Sequence, residues 1–211
     1  MKNTFAIGIP TLNRYDLLKE ALDRYIVDFP TTHIYIVDNG NQGIDDSNPN
    51  ITVLKSSYNL GVAASWNVLC NTIFEEYTHA LIMNDDIIIG KTESEIYELL
   101  NTVTADFYVG PFYWSVFIIF KDIFDKVGGF DEEFYPAYLE DNDYHYRMKL
   151  MNCKYIQIEE LLPEVCRNSM TLEKEPTINS TFEKLMKFYK EKWGGKPGEE
   201  KYLTPFNKNI Q

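Results

Sequence analysis

The chain is poor in the residues that build covalently or metal-stapled folds. Its 211 residues include three cysteines and three histidines, and Cys70, Cys153 and Cys166 lie far apart with no C-x-x-C pair. A disulfide framework is excluded, and an odd number of unpaired thiols suits a reducing compartment. Positive charge is also scarce: 20 Lys and Arg stand against 32 Asp and Glu, a formal net charge of -12. Nucleic acid is not an expected partner, because phosphate backbones are held by clustered Lys and Arg. No apolar run approaches the roughly 20 residues that cross a bilayer. The most apolar stretch, Pro111 to Phe120, is far too short, so no transmembrane segment is expected. The residues after Met1 lack the apolar core and cleavage site of a secretory signal, and the expected location is the cytoplasm. Nowhere does G-x-G-x-x-G occur; the turn after the first apolar segment reads Pro10-Thr11-Leu12-Asn13-Arg14. A dehydrogenase is thereby rejected. The glycine-rich, basic loop expected of a sugar nucleotidyltransferase is missing from the same place.

What is present is a globular composition, 45% apolar with 15 Tyr, 13 Phe and 3 Trp, ample for one core. Strands are expected at Thr4–Ile9, closed by Pro10, and at His33–Val37, Ile51–Lys55 and Ala80–Met83. Asn13 is placed to cap a helix whose apolar positions run through Leu17, Leu18, Ala21, Leu22, Tyr25 and Ile26, stopped by Pro30. Val62, Trp66, Leu69, Cys70, Ile73, Phe74 and Tyr77 mark a second helix by the same period. This β-α-β alternation predicts a doubly wound, mainly parallel sheet with helices on both faces, and ligands beyond the carboxyl ends of its strands. The second half is read as helices near Glu93–Val103, Lys121–Val127, Leu139–Met151 and Thr181–Lys192, with strands near Phe107–Val109, Ser115–Phe120 and Tyr155–Ile158. No linker or repeat divides the chain, so residues 1–211 are read as one domain.

Acids concentrate at two places. Asn84-Asp85-Asp86 directly follows an apolar strand, which brings carboxylates to the sheet's edge, where oxygen ligands suit a hard divalent cation. Taken alone, an N-D-D turn more often merely ends a strand. Glu140-Asp141-Asn142-Asp143 opens a helix, preceded by Asp131, Glu132 and Glu133. Acids at a helix start complement its dipole, and that suffices for the upstream trio. For Glu140 and Asp141 a catalytic role is preferred, since a general base needs a carboxylate held near an incoming hydroxyl. Arg147 is expected to pair with a nearby acid, and His145 to sit on a helix face. Tyr113, Trp114, Tyr135 and Tyr138 are candidates for stacking on sugar rings, with core packing an equal alternative for each.

Together these motifs resemble an inverting glycosyltransferase of the GT-A fold, close to family 2. Pro10-Thr11-Leu12-Asn13-Arg14 is similar to that family's opening P-T-x-N-R, Val37-Asp38-Asn39-Gly40 to V-D-N-G, and Asn59-Leu60-Gly61-Val62-Ala63 to N-x-G-x-a. Asn84-Asp85-Asp86 stands where the family has its D-x-D element. Gly128-Gly129-Phe130-Asp131-Glu132 followed by Leu139-Glu140-Asp141-Asn142-Asp143 is similar to G-G-F-D-E…x-E-D-x-D, and Lys192-Trp193-Gly194-Gly195 to a tail element of some members. The catalytic unit is also similar to domains of large multidomain glycosyltransferases encoded by chlorella viruses.

The resemblance implies a nucleotide-sugar half at residues 1–110 and an acceptor-binding, catalytic half at 111–211. Pro10, Thr11, Arg14, Asp38, Asn59 and Gly61 would line the nucleotide site, with Asp38 accepting from a uracil-type base. Asn84 would contact ribose, Asp85 ribose or sugar, and Asp86 would bind Mn²⁺ or Mg²⁺. Asp141 would be the general base, with Glu140 orienting a substrate. Where many members place a metal-binding His, this chain has Val165-Cys166-Arg167-Asn168-Ser169; Arg167 is a candidate to neutralise phosphate, and a sparse protein coordination shell is expected. The implied reaction moves a hexose or deoxyhexose from a nucleotide-diphosphate sugar, a UDP-sugar by preference, to a glycan or glycoconjugate hydroxyl. Further catalytic domains of a longer chain are possible partners, and a viral source would place the protein in the host cytoplasm. A sugar nucleotidyltransferase, a non-catalytic sugar-nucleotide-binding module and a retaining transferase are the alternatives.

Overall fold

The computed structural model describes residues 4–102, 104–111, 113–167 and 171–208. In chain order these form β1 (Phe5–Thr11), α1 (Tyr15–Asp28), β2 (Ile34–Asp38), β3 (Ile51–Lys55), α2 (Val62–Ile73), β4 (His79–Met83), β5 (Ile87–Ile89), α3 (Glu93–Thr102), β6 (Phe107–Gly110), β7 (Tyr113–Phe120), α4 (Lys121–Val127), α5 (Glu140–Leu150), β8 (Tyr155–Gln157), β9 (Pro163–Cys166), α6 (Thr171–Lys174) and α7 (Phe182–Trp193). The main sheet has the order β3-β2-β1-β4-β7-β6-β8. It is parallel except at β7, which runs antiparallel to β4 and β6. A second, two-stranded sheet pairs β5 with β9.

Alternation along the buried strands sends side chains to two cores. Phe5, Ile7 and Ile9 of β1 face α1 and α3 through Leu18, Tyr25, Ile96 and Leu99. Ala6, Val37 and Phe117 face α2, α4 and α5 through Trp66, Leu69, Ile123 and Tyr144. Gly8 is required on the second face. A Cβ there would stand 2.7 Å from Ile82 Cδ1 and 3.3 Å from Leu69 Cβ, so a bare backbone lets α2 lie close against the sheet. A third cluster packs α7 on α5 through Leu139, Tyr146, Leu185, Tyr189 and Trp193, with Phe134 between them. No helix among the described residues is long and apolar enough to cross a membrane.

Several elements depart from the sequence reading. Pro10 does not close β1, which continues to Thr11 with Pro10 in register with Val37. Its missing N–H falls on the β4 side, where the ladder has already ended at the Gly8–Ile82 pair. Asn13 does not cap α1: it sits at φ 57°, in the left-handed region, and its amide donates to Glu175 Oε1 at 2.6 Å. α2 ends at Ile73, before Tyr77, and Ile26 on α1 is exposed. The β5–β9 pairing was not foreseen. Val103, Asn168 and Ser169 lie outside the described residues, as does the side chain of Tyr113.

Candidate active site

Strands β2, β1 and β4 end at one edge, and β1 and β4 are neighbours whose connections leave in opposite directions. Such a switch point opens a crevice beyond the strand ends. Here it holds a cavity of about 150 Å³ lined by Pro10, Thr11 and Leu12 after β1, Asn39 after β2, Asn59, Gly61, Val62 and Ser65 at the start of α2, and Asn84, Asp85 and Asp86 after β4. Pro136, Ala137, Tyr138, Thr171 and Ile178 complete the wall from the second half of the chain.

Seven of the eleven residues to which the resemblance gives a nucleotide, metal or catalytic role, namely Pro10, Thr11, Asn59, Gly61, Asn84, Asp85 and Asp86, therefore meet in one wall, together with the stacking candidate Tyr138. Thr11 Oγ1 donates to Asp85 Oδ2 at 2.7 Å. Asp85 is buried, and burial pushes its carboxyl up to about 7. The Thr11 hydrogen bond and the charge of Arg14 oppose that rise, while Asp86 adds to it. Asn59 Oδ1 accepts from Gly61 N–H at 2.9 Å, bending the chain into α2. Gly61 holds φ 79°, and a Cβ there would meet Pro136 O at 2.8 Å. Only glycine lets the 135–138 segment close over this point, where Val62 N–H donates to Pro136 O at 2.8 Å.

The other four sit behind or beside the wall. Arg14 is buried and forks onto Asp16, with Nε 3.1 Å from Oδ1 and Nη2 3.0 Å from Oδ2. Asp38 is fully buried, and its carboxylate accepts from Gly40 N–H, Gln42 N–H and the Gln42 side-chain amide at 3.0, 2.8 and 3.1 Å. Its hydrogen-bonding capacity is turned to its own loop, not to the cavity. Glu140 and Asp141 open α5, two and three residues after the wall residue Tyr138. Glu140 is buried, and its Oε2 has no hydrogen-bond partner among the described residues. Burial raises the Glu140 carboxyl well above its ordinary value, and the neighbouring Asp141 charge raises it further. Burial likewise raises Asp141, against the pull of its 2.7 Å bond from Asn142 N–H.

Arg167 does not reach the cavity. It forms a two-pronged pair with Glu20 of α1, at 2.7 and 2.9 Å. Arg147 pairs with Asp143 at 2.8 Å, and His145 stacks on Tyr155 with centroids 4.2 Å apart. Trp114 is a core residue, packed on Phe107 and Phe117. Sequence reasoning missed Asn39 and Ser65 as wall residues. They are joined by an Asn39 Nδ2 to Ser65 Oγ bond of 2.9 Å, and Asn39 also accepts Leu60 N–H at 2.9 Å. Asn39 lay inside the quoted V-D-N-G segment, and Ser65 one turn into the α2 pattern; neither carried a separate signal.

The wall holds two adjacent carboxylates and, among the described residues, no Lys, Arg or His. Among them no group of three or more His, Cys, Asp or Glu is placed to hold a metal ion by itself. A site of this kind gives a cation one or two carboxylate oxygens and leaves its other positions to water or ligand oxygens. That donor chemistry fits Mg²⁺ or Mn²⁺.

No protein-family model matches the chain, and no curated protein does. Solved structures do match. A mannosyltransferase from Pyrobaculum calidifontis, in complex with GDP-Man and Mn²⁺, superposes with a TM-score of 0.63 at 13% identity, over 80% of this chain and 59% of that one. GalNAc-T7 with UDP, GalNAc and Mn²⁺ gives a TM-score of 0.63 at 10% identity, over 74% and 42%. The catalytic domain of Drosophila β1,4-galactosyltransferase 7 with xylobiose gives 0.51 at 13%, over 74% and 64%. The chain thus spans less than two thirds of each of these neighbours. Superpositions of this extent, at identities this low, establish the architecture and nothing finer: the chain has the GT-A glycosyltransferase fold.

Proposed function

We propose that the protein is a metal-dependent glycosyltransferase that moves a hexose or deoxyhexose from a nucleotide-diphosphate sugar to a glycan or glycoconjugate hydroxyl, with inversion. The observation that carries this reading is the placement of two buried adjacent carboxylates, Asp85 and Asp86, beside the polar neutral groups that line the cavity at the switch point. Two carboxylates beside a diphosphate are mutually repulsive unless a cation lies between them. Neighbours that carry Mn²⁺ with GDP-Man or with UDP agree with it. A UDP-sugar is the preferred donor.

Asp86 would hold Mn²⁺ or Mg²⁺, which when bound neutralises charge on the departing diphosphate. Asp85, fixed by Thr11, faces ribose or sugar, with Asn84 beside it, and Asn39, Asn59 and Ser65 offer neutral hydrogen bonds to the rest of the donor. Asp141 takes the acceptor hydroxyl's proton as that oxygen attacks the anomeric carbon from the face opposite the diphosphate. Its raised affinity for protons brings it closer to neutral pH, where a base works best. Glu140 orients the substrates. A base-reading role for Asp38 requires the 40–42 loop to release its carboxylate.

The test is incubation of the protein with Mn²⁺ and UDP-, GDP- and dTDP-sugars, with and without glycan acceptors, scoring free nucleotide. Release of nucleoside diphosphate is expected, abolished by EDTA and lowered at least about a hundredfold in Asp86→Ala and Asp141→Asn. Silence with every donor, or activity undiminished in Asp86→Ala, overturns the reading. Pyrophosphate formation from a nucleoside triphosphate and a sugar phosphate would mark a nucleotidyltransferase instead.

A further inference from the structure

Lys192-Trp193, at the end of α7, is a motif that the proposed chemistry leaves without a role, yet it touches the helix that carries Glu140 and Asp141. Asp143, in the first turn of α5, is fully buried. Its Oδ1 accepts from both Lys192 Nζ and Trp193 Nε1, the latter at 2.8 Å, and its Oδ2 accepts from Arg147 Nε at 2.8 Å. Lys192 is itself buried and reaches on to Asp131 Oδ2 at 2.6 Å, in the loop before α5. One ammonium thus ties the end of α7 to the loop and to the helix at once.

The start of α5 needs such a hold. Tyr138 and Leu139 lie at φ 87° and 72°, two successive non-glycine residues in the left-handed region. Leu139, the N-cap, makes no side-chain capping bond. Backbone of this kind persists only where surrounding structure over-determines it. Asp143 N–H donates to Leu139 O at 2.9 Å and closes the first turn, so the clamped carboxylate belongs to the residue that defines that turn. Buried ion pairs add little net stability over apolar packing, but their directional bonds can select a single geometry.

We propose that Lys192 and Trp193 are positioning residues, which hold the first turn of α5, and with it Glu140 and Asp141, in a fixed place beside Tyr138 and the cavity through the carboxylate of Asp143. Its catalytic consequence rests on the glycosyltransferase reading; the mechanical part does not. Trp193→Phe is the working variant, because it deletes the indole N–H and keeps a ring against Tyr146, now 4.9 Å away edge to face. Lys192→Met would leave two acids facing an apolar chain and serves only if it folds. Tyr189→Phe, on the same helix, is the control: it removes a 2.7 Å hydrogen bond to Glu200 and none of the hydrogen bonds to Asp143.

Two measurements decide the matter. Amide exchange at Asp143 and Tyr144 should quicken about tenfold in Trp193→Phe relative to Met148–Met151 at the other end of α5. Turnover should fall about tenfold, with the affinity for UDP plus Mn²⁺ held within about twofold, because misplaced groups lose rate before they lose donor binding. Tyr189→Phe should show neither pattern. Unchanged exchange in the first turn, a uniform loss along α5, or the same selective loss in Tyr189→Phe overturns the proposal. If the native protein releases nucleotide from no donor, the glycosyltransferase reading fails, and the exchange result still decides the clamp.

Discussion

Glu140 is buried with one carboxylate oxygen unpartnered among the described residues and Asp141 next to it. An ionised group in that place is a burden on the fold, because desolvation penalises its charged form. The sign follows from its raised proton affinity. The unfolded chain ionises Glu140 near the ordinary carboxylate value while the folded chain still holds the proton. Stability from this group is therefore full at low pH and is lost as pH rises through the elevated folded value. Glu140→Gln, which keeps the shape and removes the charge, should raise Tm. The gain should be near zero at about pH 4 and largest at about pH 8, with turnover falling at the same time. Thermal unfolding across that range checks it; a Tm lowered at pH 8 would show that the carboxylate finds compensation the structure does not display.

At the scale of elements, the approach of α2 to the sheet decides whether the crevice has its far wall. Gly61, Val62 and Ser65 reach the cavity from the start of α2, and the helix lies close because β1 offers Gly8 beneath Leu69 and Ile73. Gly8→Ala should cost about 1–3 kcal/mol, the usual penalty for overfilling a packed core. Urea unfolding should show the midpoint fall with unchanged slope, and nucleotide affinity should drop as the α2 end shifts. The Ile82 Cδ1 contact at 2.7 Å is the flexible end of a side chain and can yield, whereas the Leu69 Cβ contact at 3.3 Å is anchored to the helix. A loss of nucleotide binding larger than the loss of stability would place the effect in the wall rather than in the core.

Over the whole molecule the charge of -12 and the ion pairs of the C-terminal segment pull in opposite directions. Residues that help wall the cavity, Thr171 and Ile178, belong to a stretch held to α1 and its approach by charge. Glu173 lies 3.7 Å from Arg14, and Lys174 lies 3.5 Å from Asp16. Asp16 is kept down at about 2, chiefly by its hydrogen bond to Arg14. Its contribution is present above the ordinary carboxylate range and is lost as pH falls through about 2, a small term because the side chain is exposed. Raising salt to about 0.15 M shortens the screening length to about 8 Å. It should raise the global Tm at about pH 8 by relieving self-repulsion, while amide exchange over residues 171–181 speeds up as the exposed pairs weaken. Calorimetry and exchange on one sample check both; a segment that gains protection with salt would mean that packing, not charge, holds it.

The alternation of strands and helices, the two faces of the sheet and the N-D-D element beyond β4 were legible in the chain alone. Each of these follows from periodicity or order over a few residues, which local sterics and burial enforce. What depended on partners far along the chain emerged only on folding. Asn13 caps nothing because Glu175 takes its amide, and Arg167 is held by Glu20 rather than facing the cavity. Asp38 turns inward because Gln42 and its loop satisfy it, while Asp85 and Asp86 reach the wall. The three isoleucines of β5 are too short a run to show a period, and only β9 across the fold makes them a strand. Lys192 stood in a tail element with no role assigned to it until α7 laid it against Asp131 and Asp143. A side chain's type is local, but the hydrogen bonds it completes and the solvent it loses are set by neighbours that only folding brings near.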